Sequence, residues 1–250
     1  MKLFQTFSKN EILMIIYERK RAILNYLEQN NFSTFRELAA AVYASESSVR
    51  RDVKALEGEG YVKTTYGGVV LASYVNGIVP VKLRESENAA IKDNIAEKAA
   101  KHVFDGATLL LDGSSTVRRI VKHLSSFNNL KIITNNYRLF SEAEGFNGTI
   151  YSTGGRYDIR NKIFIGSVAE EFIRGITADV MFFSSQALSD DGEITDISEE
   201  ETSLRKVMIS RAKKKVFLCD SSKLGKKQTF TLCTKDDVDE IICDKRLPWE

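Results

Sequence analysis

The sequence predicts an α/β protein in two parts, a small helical unit closed by a hairpin and a larger, mostly parallel sheet covered by helices on both faces. Three observations predict it. The early part of the chain repeats apolar residues at a spacing near 3.6 and ends at a pair of glycines. The later part alternates short apolar, β-rich runs with longer helical segments, which is typical of βαβ units. Pro80, in a glycine-containing stretch, separates the two patterns.

We place the first unit at residues 16–71, a linker at 72–84 and the second unit at 85–250. In the first unit the spacing predicts helices over Arg19–Asn30, Ser33–Ala41 and Ser45–Gly58, with the helix-turn-helix at 33–52, and then hairpin strands over Tyr61–Tyr66 and Val69–Ala72. Gly67-Gly68 supplies the turn. For Leu3–Ile16 two possibilities stay open, an extra helix or a disordered arm.

In the second unit, alternating strands and helices follow one another in chain order. The predicted strands are Thr108–Leu111, Lys131–Ile133, Thr149–Tyr151, Val180–Phe183, Val216–Cys219 and Glu240–Cys243. The predicted helices are Ala89–Phe104, Val117–Leu124, Tyr137–Glu144, Ser167–Arg174 and Glu200–Ala212. This order favours a parallel sheet wrapped on both faces.

The composition excludes several classes. With 36 basic and 34 acidic residues the formal net charge is only +2, so any basic surface is local. The longest apolar runs fall short of the ~20 residues that cross a bilayer, and no signal pattern precedes them, so we expect a cytoplasmic protein with no membrane partner. Cys219, Cys233 and Cys243 predict buried thiols, and His102 and His123 stand on separate helices, so we expect no metal site. Nucleotide-binding glycine motifs are absent, so we expect no cofactor.

The second helix of the pair carries one cationic face. Its apolar stripe is Val49, Val53 and Leu56. On the far side, within about 100° of one another, lie Ser47, Arg50, Arg51 and Lys54. Asp52 falls outside that cluster and can pair with a neighbouring basic residue. An ordinary solvated helix face would show the same three basic residues.

The combination with a following hairpin favours a winged helix-turn-helix that binds double-stranded DNA. A recognition helix presents short polar and basic side chains to base edges and phosphates. Arg19, Lys20 and Arg21 offer a further phosphate contact. The predicted DNA-binding residues are Ser45, Ser47, Ser48, Arg50, Arg51, Lys54 and Lys63.

Small and polar residues follow five strands of the predicted sheet. Ligands of open parallel sheets bind outside the carboxyl ends of the strands, so these residues are expected to share one rim. Each cluster alone is ordinary loop chemistry. Together their hydroxyls, amides, two carboxylates and lysine suit a small phosphorylated polyhydroxy compound. The predicted effector-binding residues are Asp112, Gly113, Ser114, Ser115, Thr116, Thr134, Asn135, Asn136, Gly154, Gly155, Ser184, Gln186, Asp220 and Lys223.

Two acidic features lie outside these clusters. Asp179 starts a strand, where ordering a neighbouring loop is favoured over a ligand role. Asp190–Glu201 is rich in acids and favours a solvated loop, with Glu201 and Arg205 spaced for a helix ion pair.

The chain from about Ile16 onward resembles the DeoR-type bacterial transcriptional regulators. Ser45-Glu46-Ser47-Ser48-Val49-Arg50-Arg51-Asp52-Val53, then Leu56-Glu57, Gly60-Tyr61 and Gly67-Gly68, is similar to that family's recognition helix and wing. The second unit resembles that family's sensor domain in order and spacing at Arg84, Lys92, Ile95, Ala96, Asp112–Thr116, Thr134–Asn136, Gly154-Gly155, Gly166 and Asp220–Lys223.

The resemblance implies repression of carbohydrate-metabolism genes, relieved or tuned by a phosphorylated sugar. It also implies a sensor fold related to ribose-5-phosphate isomerase and CoA transferases. Ser48, Ser115 and Arg205 depart from the family's usual residues while keeping hydroxyl or charge. Tyr66 replaces the usual histidine before the wing glycines, which predicts altered wing contacts and operator preference.

Three hypotheses result, and the first is a ligand-responsive repressor, not an enzyme. Its paired recognition helices would meet half-sites about 34 Å apart, which requires a homodimer or homotetramer. The second is a sugar-phosphate isomerase or acyl-transfer enzyme with an accessory helical domain, using Asp112, Asp220 or Glu201 as base and Lys223 as electrophile. The third is a sensor that binds a partner protein through its helical unit.

Overall fold

The computed structural model describes residues 9–30, 32–72, 84, 88–143, 146–159 and 161–249, with side chains from Ile16 onward. The chain divides into two compact units, residues 1–83 and 84–250. Of the predicted linker 72–84, only Ala72 and Arg84 belong to the described residues, so the linker itself stays a prediction.

The first unit is a three-helix bundle with a small sheet. Its helices are α1 (Lys9–Asn30), α2 (Phe35–Ala41) and α3 (Glu46–Gly58), and its strands are β1 (Phe32–Ser33), β2 (Val62–Thr65) and β3 (Gly68–Leu71). The strands pair antiparallel in the order β1-β3-β2. Ile23, Leu27, Leu38, Val49 and Leu56 are buried together in the core, so the apolar stripe predicted for α3 is confirmed.

The first helix begins well before the predicted Arg19. No proline or glycine interrupts residues 9–30, so the backbone continues as one helix over 22 residues. Residues 9–16 therefore extend α1 and form no separate element, while residues 1–8 lie outside the described residues. β1 was not predicted, and its two residues pair with Val69 and Val70 of β3.

Side-chain caps fix where the two shorter helices begin. Thr34 and Glu37 form a capping box at α2, in which the Thr34 hydroxyl accepts from the Glu37 N–H and the Glu37 carboxylate accepts from the Thr34 N–H. At α3 the Ser45 hydroxyl accepts from the Ser48 N–H at 3.3 Å. The Thr34 box thus fixes the start of α2, and the Ser45 cap fixes where α3 begins after the turn that follows α2.

The second unit is a three-layer α/β structure. Its further strands are β4 (Thr108–Leu111), β5 (Leu130–Thr134), β6 (Gly148–Ser152), β7 (Arg156–Asp158), β8 (Ile163–Ile165), β9 (Ala178–Phe183), β10 (Ala187–Leu188), β11 (Glu193–Asp196), β12 (Ala212–Cys219), β13 (Phe230–Thr234) and β14 (Glu240–Cys243). Its helices are α4 (Ala89–Ala100), α5 (Leu139–Glu142), α6 (Ser167–Arg174) and α7 (Glu199–Ser210), with 3₁₀ turns at Val117–His123, Ser221–Lys223 and Lys235–Asp237.

The main sheet of the described residues has the strand order β14-β12-β9-β4-β5-β6, and all its pairs are parallel. These are the six strands that the sequence predicts. Buried apolar residues fill both faces, for example Ile95 and Ile120 with Phe182 on one and Phe183 with Met208 on the other. The predicted fold class is confirmed.

Several elements differ from the predictions. The acidic stretch Asp190–Glu201 is not a solvated loop, because it contains β11 and the start of α7, and Ile194, Thr195 and Asp196 are buried. β11 pairs antiparallel with β10 and β13, and β7 pairs with β8. The predicted helix Val117–Leu124 is a 3₁₀ helix, and of the described residues 137–143 in the predicted helix Tyr137–Glu144 only Leu139–Glu142 form an α-helix.

The cysteines are free thiols, with Cys219 and Cys233 buried and Cys243 half-buried. Cys219 and Cys243 face each other across β12 and β14. A hydrogen bond between the two thiols, together with burial, raises the pKa of Cys219, and the same bond lowers the pKa of Cys243 to about 7. Within the described residues, no helix combines the length and apolar character that a bilayer crossing requires.

Candidate nucleic-acid interface and effector rim

The outward face of α3 is open to solvent. The side chains of Arg50, Arg51 and Lys54 are exposed, and so are Ser45 and Ser47 at the start of the helix, while Ser48 is half-buried. The Ser45 hydroxyl lies 3.0 Å from the hydroxyls of both Ser47 and Ser48. The structure therefore brings the predicted α3 residues onto one accessible, hydrogen-bonding and cationic surface, which we call the α3 face.

The two arginines of the α3 face differ in their contacts. The Arg50 guanidinium lies 4.0 Å from the centre of the Phe35 ring and 3.7 Å from the Glu46 carboxylate. The Arg51 guanidinium lies 3.5 Å from the Ser48 hydroxyl. Arg50 is thus partly held by its own unit through a cation–π contact, and Arg51 is the more available of the two for a phosphate oxygen.

Asp52 has the basic partner that the sequence predicts, and that partner is Arg19 of α1. Asp52 is buried, and its carboxylate accepts from the Arg19 Nε at 2.5 Å. Lys20 pairs with Glu59 at 3.1 Å. The phosphate contact predicted for α1 is therefore wrong for Arg19 and Lys20, because both are paired with carboxylates of their own unit. Of the three basic residues, only Arg21 keeps an exposed side chain.

The wing is anchored to α3 by a carboxylate. Glu57 accepts from the Thr64 N–H at 2.7 Å and from the Thr64 hydroxyl at 3.0 Å. A Cβ on Gly68 would lie 2.4 Å from the Ser33 carbonyl oxygen, and Gly67 has a φ of +86°. Gly67 is therefore required by the turn, as the sequence predicts, whereas Gly68 is required by the close approach of β1. Lys63 is exposed on β2.

Parallel strand order brings the predicted effector-binding residues to one edge of the sheet, which we call the rim. The clusters after β12, β9, β4, β5 and β6 follow adjacent strands. With about 4.8 Å between neighbouring strands, the rim from β12 to β6 spans about 19 Å. A small ligand is therefore too short to contact all five clusters at once.

Asp112 is the centre of the rim. One carboxylate oxygen accepts from the Ser114 N–H at 3.0 Å, and the other accepts from the Ser184 N–H at 3.2 Å and from Arg205 Nε at 2.8 Å. The Ser114 hydroxyl accepts from the Val117 N–H. Asp112 and Ser114 thus order the β4 loop and join it to the end of β9.

Arg205 is buried against three carboxylates. It donates to Asp112 and Asp196 at 2.8 Å each and to Glu201 at 2.7 Å. The predicted ion pair with Glu201 is confirmed, but it lies inside the protein and not on a solvated helix. Burial opposes the charge on Arg205, yet Asp196, Glu201 and Asp112 outweigh that effect and raise the pKa of the guanidinium. Burial raises the pKa of Glu201, against the attraction of Arg205 and Arg84.

Lys223 links the β12 cluster to the β9 cluster. Its ammonium donates to the Ser184 hydroxyl at 2.7 Å, which itself donates to the Leu218 carbonyl oxygen. Burial raises the pKa of Asp220, but Lys223 and the Ser222 hydroxyl overcome that effect and lower it. Lys223 is half-buried, so its ammonium lies at the rim within reach of solvent.

Two buried polar atoms of the rim have no protein partner among the described residues, Thr116 Oγ1 and Asn135 Oδ1. The Asn135 Nδ2 donates to the Phe164 carbonyl oxygen at 3.1 Å. A Cβ on Gly113 would lie 3.3 Å from the Asn135 Nδ2 and 2.5 Å from the Ile163 side chain. The glycine therefore lets the β4 loop approach the β5 loop and the β7–β8 hairpin.

The remaining predicted rim residues have local roles or lie at its end. Thr134 accepts from the Asn136 N–H, and Asn136 accepts from the Arg138 N–H. Gly155 has a φ of +98°, and a Cβ there would lie 2.7 Å from the Ile165 carbonyl oxygen. Gly154 and Gln186 are half-buried. Gly154 and Gly155 follow the edge strand β6, away from Asp220 and Lys223.

Sequence reasoning missed a second tier of rim residues. Arg84 donates to the Asn161 side-chain oxygen at 2.9 Å, and its carbonyl oxygen accepts from Lys92 Nζ at 2.5 Å and from the Ser115 hydroxyl at 3.2 Å. Asn88 donates to Asp220. Arg84 and Lys92 occur in the family-like pattern, which is the signal that could have identified them.

Asp179 lies at the opposite edge of the sheet, at the amino end of β9. It accepts from Lys213 at 2.8 Å and from the Thr108 N–H at 2.9 Å. These contacts lower the pKa of its carboxyl group, and they support the ordering role considered for it. In the part of the chain that the structure describes, no cluster of three or more histidine, cysteine, aspartate or glutamate side chains could hold a metal ion.

A winged helix-turn-helix with an exposed basic helix, followed by an α/β unit with a polar rim, defines a two-domain transcriptional regulator. Comparison with known families agrees, since residues 19–75 match the DeoR-like helix-turn-helix domain and residues 87–245 match the DeoR C-terminal sensor domain. The chain belongs to the DeoR family of transcriptional regulators.

Relatives of similar length share both units. The chain is 31% identical to the HTH-type transcriptional regulator GolR of Listeria innocua, over 94% of this chain and 92% of that protein. It is also 31% identical to the HTH-type transcriptional repressor GlcR of Bacillus subtilis, over 92% and 89%. Among solved structures, ribose 5-phosphate isomerase A of Methanocaldococcus jannaschii is a distant match, with a TM-score of 0.41 and 16% identity over 55% of each chain.

Proposed function

We propose that this regulator represses carbohydrate-metabolism genes and that a phosphorylated sugar bound at the rim changes its affinity for operator DNA. The observation that supports the effector most is the pair of buried, unpaired polar atoms, Thr116 Oγ1 and Asn135 Oδ1. Leaving such atoms without a partner is costly. A polyhydroxy ligand supplies hydrogen bonds to both.

The charge at the rim fits the phosphate of such a ligand. Lys223 presents an ammonium that is already directed by the Ser184 hydroxyl. The carboxylates are engaged internally, since Asp112 bonds Arg205 and two backbone N–H groups, so they repel an anion less than free carboxylates do. Thr116 and Asn135 then contact the sugar hydroxyls while Lys223 contacts phosphate.

The proposed mechanism couples two states of an oligomer. In a homodimer or homotetramer two α3 faces meet successive major grooves about 34 Å apart. Effector binding at the rim favours one subunit arrangement over another, and it shifts operator affinity by its differential affinity for the two arrangements.

A thermal-shift screen of pentose and hexose phosphates, followed by titration of the protein onto its own upstream DNA, tests this proposal. We expect one sugar phosphate to raise Tm and to change operator affinity. Lys223→Ala should blunt both responses and spare operator affinity without effector. Lys226→Ala, at an exposed lysine nearby, serves as the control and should respond like the wild type. If no sugar phosphate shifts Tm, or if Lys223→Ala titrates like the wild type, the effector assignment is rejected.

A sugar-phosphate isomerase is the second candidate, and one observation favours it. Glu201 is half-buried, and desolvation raises the pKa of its carboxyl group, as in a general acid. However, its carboxylate is held by Arg205 and bonds Asn161, so it is not directed at a free substrate. Turnover of pentose or hexose phosphates above background, lost in Glu201→Gln, would establish the enzyme instead of the sensor.

A protein partner for the helical unit is the third candidate. Apart from the half-buried Ser48, the predicted DNA-binding residues are exposed, as a protein-binding surface would also be. If the purified protein does not shift its upstream DNA and Arg51→Ala behaves like the wild type, the partner protein is favoured over the operator.

A further inference from the structure

Tyr43 occupies an unusual position in the turn that joins α2 to α3. Its φ is +50°, in the left-handed region of the backbone map. The residue is 97% exposed. Left-handed backbone suits glycine or asparagine, whereas a bulky side chain with this φ is strained.

The fold itself does not require a tyrosine at this position. The turn is held by main-chain bonds, from the Tyr43 N–H to the Ala40 carbonyl oxygen at 3.3 Å and from the Ala44 N–H to the Ala39 carbonyl oxygen at 3.0 Å. Glycine would form both bonds. Because the ring is exposed, packing within the unit does not compensate for the strain.

Backbone strain that nothing in the unit compensates is characteristic of binding positions. Tyr43 precedes by two residues Ser45, the N-cap of the helix whose first residues approach the duplex. Side-chain hydroxyls of tyrosine are among the groups that bond phosphate oxygens and fix the register of a protein on DNA.

We propose that Tyr43 is an operator-binding residue whose phenol hydroxyl donates a hydrogen bond to a backbone phosphate beside the groove that α3 enters. The inference rests on DNA binding by the α3 face. The contact is uncharged and independent of sequence. It therefore adds affinity without adding counterion release or base discrimination.

The test uses the full chain and three substitutions. Tyr43→Phe removes the hydroxyl alone, Tyr43→Ala removes the ring and keeps the strained Cβ, and Tyr43→Gly removes both ring and strain. Binding to the upstream DNA and to a scrambled duplex is measured by fluorescence anisotropy over a range of salt concentrations, and Tm is measured beside it. Asn129→Gly, at another left-handed position with φ +57° in the second unit, is the control for introducing glycine at such a position.

We expect all three Tyr43 variants to bind both duplexes about fivefold more weakly, since one hydrogen bond is lost. The slope of log K against log salt should stay unchanged, and Tyr43→Gly alone of the three should raise Tm. Asn129→Gly should bind DNA like the wild type. Wild-type binding by Tyr43→Phe overturns the hydroxyl–phosphate contact, and wild-type binding by the Ala and Gly variants ends any DNA role for Tyr43.

Arg51→Ala separates this inference from the function on which it rests. If the wild type binds DNA and Arg51→Ala weakens binding while the Tyr43 variants do not, only the Tyr43 proposal fails. If the wild type does not bind its upstream DNA, the operator itself is wrong and both proposals fail.

Discussion

The α3 face and the rim use similar residue types in opposite surroundings. On the α3 face the serines and arginines are mostly exposed and bond only near neighbours in sequence, as Ser45 does with Ser48. At the rim the serines, aspartates and Arg205 are mostly buried and bond residues far along the chain, as Arg205 does with Asp112. Substituting an exposed charged group changes the free energy of unfolding little, whereas removing one partner of a buried ion pair leaves the other charge unpaired and is strongly destabilising.

Because of this contrast, substitutions in the two regions should differ in whether they change DNA affinity or folding stability. Changes on the α3 face are expected to alter DNA binding and leave folding intact, while changes at the rim are expected to alter folding first. The four substitutions below test that separation.

Arg205→Met should have the largest effect on folding. It leaves the buried carboxylates of Asp112 and Asp196, and the half-buried carboxylate of Glu201, without their cation, so the free energy of unfolding should fall by about 3–5 kcal/mol, measured by denaturant titration of the full chain. Arg156→Ala, which breaks an exposed pair with Glu200, is the control and should leave the free energy of unfolding nearly unchanged. Equal losses in the two variants would contradict a buried network.

Arg51→Ala should weaken operator binding by about 1–2 kcal/mol and leave the free energy of unfolding unchanged within about 0.5 kcal/mol. If Arg51 contacts phosphate, the log–log salt slope should flatten by about one unit. Arg174→Ala, at an exposed arginine of α6, controls for charge and should leave DNA binding unaltered. An unchanged slope would remove the phosphate assignment.

Thr116→Val should raise the free energy of unfolding by about 1 kcal/mol, because it removes a buried hydroxyl that lacks a protein partner. The same variant should lose part of the Tm shift given by the effector. Thr202→Val is the matched control, since the Thr202 hydroxyl donates to the Ser198 carbonyl oxygen at 2.7 Å, and it should be destabilising. If both variants are destabilised alike, Thr116 is a structural residue.

Arg50→Ala should have the smallest effect of the four. It is the α3-face substitution that should also change folding stability. Arg50 belongs to the α3 face but stacks on Phe35, so its loss should lower the free energy of unfolding by about 0.5–1 kcal/mol. A double-mutant cycle with Phe35→Leu measures the coupling between the two side chains. A coupling energy of zero would mean that Arg50, like Arg51, acts in DNA binding and does not contribute to folding stability.

Local patterns were sufficient to predict most of the fold. Apolar periodicity predicts the stripe Val49, Val53 and Leu56, and alternating β-rich runs predict all six strands of the parallel sheet. Strand order follows from the parallel topology, which brings the residues after each strand to one edge. The rim could therefore be expected before any distance was known.

Pairing between distant residues could not be predicted. Arg205 meets Asp112 across 93 residues, and no spacing rule reports such a contact. The acidic residues of Asp190–Glu201 suggested a solvated loop. Composition shows how many acids a segment contains, but it does not show that a buried cation, Arg205, pairs with Asp196. Arg19 suggested phosphate for the same reason, since its partner Asp52 lies 33 residues away.

The Glu57 clamp has a consequence for how an operator can be recognised. Thr64 is bonded twice to Glu57, so the hairpin cannot move independently of the recognition helix. The two elements therefore contact DNA as one rigid unit. A duplex whose groove spacing differs must itself deform to fit, and stiff or flexible base steps outside the contacted positions will then be distinguished by their bending energy.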